Sequence, residues 1–149
     1  MAFVLKPDRE LGSDVRRLAR KQLGGAVRSL DGALSSGADV HAAVHDARKR
    51  CKKVRSMLRL VREAFPERRA ENRAIRDAAR LISGLRDATT LIESVGHLET
   101  QPPEELLETL EQRRREVGEA QALRSRVAEC CDRLAACRRR AKGWVFEDE

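Results

Sequence analysis

The chain has no tyrosine, one tryptophan and three phenylalanines among its 149 residues. So few aromatics leave little on which the bases of a single-stranded nucleic acid could stack. No apolar run approaches the roughly 20 residues that a membrane-spanning helix needs, so no membrane association is expected. The N-terminus shows no charged-then-apolar leader pattern. No C-x-x-C pair occurs, and the four cysteines are Cys51, Cys130, Cys131 and Cys137. They read as reduced, mostly buried thiols of a cytosolic protein, with a zinc site from Cys130, Cys131 and a distant histidine as the weaker alternative. There is no G-x-x-x-x-G-K-[ST] loop, no H-E-x-x-H, and no carboxylate cluster near the basic residues beyond Asp46 and Asp87. The expectation is therefore a protein that is not an enzyme and carries no metal and no cofactor.

Charge is abundant but uneven. Residues 44–62 carry eight Lys or Arg against one Asp, a net +7. The whole chain has 31 Lys+Arg and 24 Asp+Glu, also +7. The remainder therefore balances, and one segment holds all the excess. A protein that holds a polyanion has reason to concentrate charge in this way.

Spacing gives that segment a shape. At about 100° per residue, His45, Arg48, Lys52, Arg55 and Arg59 share one helical stripe. Val44, Ala47, Cys51, Val54, Leu58 and Val61 form an apolar stripe about 100° away. A solvated face would lie opposite the core. A basic stripe that flanks the core lies at the lip of a groove between packed helices. Lys49 and Lys53 widen the stripe, and the ordinary alternative is a merely solvated charged face.

With 37% charged residues and an excess of Ala, Leu, Arg and Glu, the chain reads as all-α. The pattern predicts an antiparallel four-helix bundle with a long C-terminal helix, in one domain. The first helix covers about 8–33, with Leu11, Val15, Leu18, Gln22, Ala26 and Leu30 on one face. Asp39 caps the second, which runs to Phe65-Pro66. The third covers about 67–94 and is stopped by Gly96. The fourth starts at Pro102-Pro103 and continues to about Lys142, with Gly118 as a candidate kink.

The third helix repeats the design of the second. Ile75, Ala78, Ile82, Leu85 and Ile92 form its apolar stripe, flanked by Arg76, Arg80, Ser83, Arg86 and Asp87. Arg73 extends that face, unless it and Arg76 pair with Glu71 and Asp77. Ser83-Gly84 leave room for a close approach. On the fourth helix, Arg113, Arg114 and Arg124 interrupt a heptad-like seam of Leu106, Leu110, Val117, Ala120, Val127, Cys131 and Leu134. Either an anion satisfies these charges, or the helix projects beyond the bundle and Arg124 is wet.

The run Val44-His45-Asp46-x-Arg48-Lys49-x-x-Lys52-Lys53-x-Arg55-x-x-Leu58-Arg59 resembles the signature of the CHAD family, the conserved histidine α-helical domains. Arg86-Asp87, in Ser83-Gly84-Leu85-Arg86-Asp87, is similar to the family's G-x-x-R-D block, with Ser83 in the expected glycine position. The resemblance implies a helical domain that binds inorganic polyphosphate. The binding residues that the resemblance implies are His45, Arg48, Lys49, Lys52, Lys53, Arg55, Arg59 and Arg86, and the basic patterns of the third and fourth helices add Arg73, Arg76, Arg80 and Arg114. It further implies a cytoplasmic protein, including a place on polyphosphate granules. Lys and Arg supply charge, Arg adds forked donors, and His adds a donor that responds to pH. Asp46 is expected to orient a neighbouring base or cap a turn, with His45 as a general acid the lesser reading. A nucleic-acid-binding helical protein and a phosphate-transfer enzyme are the alternatives, and nucleic acid is the unlikely partner.

The family domain usually comprises two related four-helix halves, and this chain resembles the first. A lone half is expected to expose apolar residues at the break, with Trp144, Val145 and Phe146 as candidates. A homodimer is the simplest repair.

Overall fold

The computed structural model describes residues 10–36, 39–83 and 106–147, and the side chains of 106–110 and 113 fall outside that description. Four helices build it: α1 (Leu11–Ser36), α2 (Val40–Leu60), α3 (Arg68–Leu81) and α4 (Leu106–Ala141). α1 packs on α2 and α4, and α3 packs on the same two helices. The result is the expected all-α, antiparallel bundle with a long last helix. No described helix is long and apolar enough to cross a membrane.

Helical spacing of apolar residues drives the assembly. Val15, Leu18, Leu23, Ala26 and Leu30 of α1 are buried against Val44, Ala47, Cys51, Val54 and Leu58 of α2. Ile75, Ala78 and Ile82 close the core from α3, and Leu123, Val127, Cys130, Leu134 and Cys137 from α4. Burial of each large side chain stabilises by roughly 1.5–3 kcal/mol. All four cysteines are free and buried. Among the described residues no His, Cys, Asp and Glu cluster could hold a metal ion, so Cys130 and Cys131 form no zinc site there.

The helix ends differ from expectation. Leu11 is 45% exposed because it starts α1 outside the bundle. Asp39 caps α2 as expected, accepting from Ala42 N at 3.2 Å. α2 stops at Leu60, short of Pro66, because the chain turns there to send Phe65 into the core. α3 stops at Leu81, and the Ser83 hydroxyl donates to the Arg80 carbonyl at 2.9 Å. Its expected continuation past Ser83, including Arg86, Asp87 and Gly96, lies outside the described residues, as does the proline start of α4. α4 passes through Gly118 as one helix. Before Leu123 most of its described residues are exposed, and burial begins at Leu123.

The C-terminal segment overturns one expectation. Trp144 and Phe146 are only 2% and 4% exposed, and Val145 alone is exposed at 72%. Phe65 receives both rings, with centroids 5.1 Å from Trp144 and 4.8 Å from Phe146. Glu147 N donates to the Ala64 carbonyl at 2.7 Å. Arg16 donates to the Trp144 carbonyl at 2.8 Å and lies over the Phe146 ring. The segment therefore plugs the end of the bundle, because two large rings are most stable out of water. The apolar surface on which a homodimer was expected to rest is thereby reduced to Val145.

Candidate anion-binding site

α2 presents its cations to two adjoining clefts. One, of about 450 Å³, is lined among the described residues by His45, Arg48, Lys49, Lys52, Lys53 and Ser56 of α2. The other, of about 250 Å³, lies between helices. α2 contributes Arg48, Cys51, Lys52 and Arg55 to it, and α3 contributes Arg76, Ala79, Arg80 and Ser83. This second cleft lies on the flank of α2 where the basic stripe meets α3. Arg48 and Lys52 line both.

Among the described residues no carboxylate forms an ion pair with Arg48, Lys49, Lys52, Lys53 or Arg80. Arg55 is held at the inter-helix wall, its Nε donating to Asn72 Oδ1 at 3.1 Å. Arg76 touches Asp77 at 3.3 Å, an exposed pair that costs little to separate. Cations that converge on a lip backed by apolar core make the local potential positive. Ser56 and Ser83 add hydroxyl groups. Ser56 escaped sequence reasoning because a lone serine among cations carries no spacing signal.

Asp46 and Arg50 do a different job on the same helix. Arg50 Nε donates to Asp46 Oδ2 at 2.9 Å, and its other arm reaches Gln22 Oε1 at 3.2 Å. The Ser29 hydroxyl donates to the same Asp46 oxygen at 2.5 Å. Burial alone raises the Asp46 carboxyl. The Ser29 hydroxyl and the Arg50 guanidinium outweigh it and hold the group below its ordinary value of 3.8. Asp46 thus orients a neighbouring base, as expected, and that base is Arg50. The guanidinium lies against the backbone of Gly25, where any Cβ would strike it. The network ties α2 to α1 and fixes which face of α2 meets solvent.

The remaining predicted residues divide. Arg59 and Arg73 are exposed on α2 and α3 and line neither cleft. Arg114 is exposed on α4 and also lines neither. Arg86 and Arg113 lie outside the described side chains. Arg124 is exposed but not merely wet, since it donates to the Leu34 carbonyl at the end of α1 at 2.7 Å. Glu71 pairs with Arg140 rather than with Arg73 or Arg76.

The thiols take no part. Burial pushes Cys51 and Cys130 up to about 12, so Cys51 on the groove wall stays protonated and unreactive near neutral pH.

The family model for the CHAD domain matches residues 10–145. No curated protein and no solved structure matches the chain.

Proposed function

The chain belongs to the CHAD domain family, a family associated with polyphosphate binding, and on that premise we propose that it binds inorganic polyphosphate along α2. The observation that carries the reading is the pair of adjoining clefts, whose shared cations Arg48 and Lys52 face no described carboxylate. A linear polyanion presents charge at close, regular intervals. Flexible lysines neutralise it as point charges and forked arginines hold its oxygens.

The described aromatic side chains favour polyphosphate over single-stranded nucleic acid. Phe65, Trp144 and Phe146 are all buried in one cluster, so none of them offers a base its face. The reading is of a binding module rather than a phosphate-transfer enzyme. Asp46 and Asp77, the described acids nearest the clefts on α2 and α3, are already engaged by Arg50 and Arg76. A cytoplasmic location, on polyphosphate granules among other places, belongs to the same proposal.

Competition tests it. Long-chain polyphosphate is set against duplex DNA and RNA at matched phosphate and salt. Preferential displacement by polyphosphate is the expected result, and equal displacement by DNA overturns the reading. Phosphate release with Mg²⁺ above the protein-free rate overturns the non-catalytic part.

A further inference from the structure

The two clefts do not continue one another along the helix. They lie on different sides of it. At about 100° per residue, Lys49 and Lys53 point roughly 140° away from Arg55 around the α2 axis, with His45 and Ser56 nearer Lys52. Arg48 and Lys52 fall between the two groups and line both clefts. They form a ridge with a hollow on either side. Among the described residues, one hollow is lined by α2 and the other is walled by Arg76 and Arg80 of α3.

We propose that these are two separate phosphate subsites, bridged by Arg48 and Lys52, and that the ligand class is a linear polyphosphate long enough to cross the ridge. The inference rests on the polyphosphate reading above and adds to it a dependence on chain length. A short anion fits one hollow and is held by its cations together with the ridge. It cannot reach the outer cations of both hollows, which face apart. A longer chain fills one hollow, passes over the ridge, and enters the second without further loss of translational freedom. That second event occurs at the effective concentration set by the tether, and it multiplies affinity without any new kind of contact. The ridge cations are used twice, so their removal harms both subsites, whereas the outer cations serve one each.

Calorimetry with a size-fractionated series, from tripolyphosphate upward, tests this on the parent chain, K49A/K53A and R76A/R80A. Circular dichroism of each variant checks that helicity is kept. Two tripolyphosphates are expected per parent chain and one per double variant. Affinity is expected to step up by about a hundredfold once the chain spans both hollows, and the step is lost in both variants. A parent that takes one tripolyphosphate, or an affinity that rises with length equally in all three proteins, overturns the inference while leaving polyphosphate binding intact. Failure of long polyphosphate to bind, or its equal exchange with duplex DNA, overturns the inference and the proposed function together.

Discussion

Arg140 grips Glu71 with both arms, Nε at 3.0 Å from Oε1 and one terminal nitrogen at 3.2 Å from Oε2. The carboxylate belongs to α3 and is only 6% exposed, and the guanidinium belongs to the last turn of α4. One ion pair thus locks the helix carrying Arg76 and Arg80 to the far end of the bundle. Removing Arg140 leaves an acid buried without its partner. Arg140→Ala is expected to cost about 2–3 kcal/mol, less than for a fully buried pair because the Arg140 side chain is half exposed. Urea unfolding checks it. Glu71→Gln, which leaves no stranded charge, is expected to cost less than Arg140→Ala. The reverse order contradicts the assignment.

Arg50 and Arg48 stand two residues apart and are predicted to behave differently. Arg50→Ala breaks the tie to Asp46 and Gln22, at a cost of about 1 kcal/mol for a pair that is one-third exposed. It leaves the log–log slope of polyphosphate affinity against salt unchanged. Arg48→Ala leaves stability unchanged and reduces the slope by about 0.7. Parallel melts and salt titrations separate the two roles.

The Asp46 network also sets an acid limit. A carboxyl held below its ordinary value contributes stability that is present above the unfolded value and lost as pH falls through the folded one. The parent is therefore expected to lose stability below about pH 4 more steeply than Asp46→Asn does, since Asn cannot titrate. Denaturant midpoints between pH 6 and 3 measure the difference, and parallel curves exclude it.

Phe65→Ala removes the ring on which Trp144 and Phe146 pack. A loss of about 3–5 kcal/mol is expected, with a cavity at the end of the bundle. Trp144 is the chain's single tryptophan, so its emission reports the site. A red shift in the variant before global unfolding is the expected signature, and unchanged emission places the ring elsewhere.

Burial raises Cys51 and Cys130 to about 12. A raised group contributes stability that is complete below the unfolded value and declines as pH climbs through the folded one. Stability is thus expected to fall between about pH 9 and 12, and less so in a Cys51→Ala/Cys130→Ala variant. At pH 8 native thiols are expected to resist iodoacetamide and to react only in denaturant. Rapid labelling of the native protein contradicts their burial.

The α2 face was legible because charge and apolar residues recur at the same helical step, and their offset places the cations beside the core rather than opposite it. Asp39 was legible as a cap. Arg50 stands four residues after Asp46, a spacing at which helical side chains meet, but the dense run of cations around it masked that signal. Glu71 carried a comparable signal: it lies four residues before Ile75, on the buried stripe, where a carboxylate demands a partner. The aromatic plug was not legible. Trp144-Val145-Phe146 follows the last helix with no period to show which residues turn inward, and its partner Phe65 is remote in sequence. The same remoteness hid the Arg124 bond to the Leu34 carbonyl.

The central claim is that cleft cations, rather than net charge, hold polyphosphate. Arg48, Lys52 and Arg80 line the clefts. Arg126, Arg139 and Lys142 are exposed and line neither cleft. Changing either set to alanine removes the same charge, and it spares the structural Arg140. The deciding measurement is calorimetric polyphosphate affinity across a salt series for the two triple variants. The cleft triple is expected to lose most of the affinity and about two units of the log–log salt slope, while the control triple stays close to the parent. Equal losses from both triples would contradict the account.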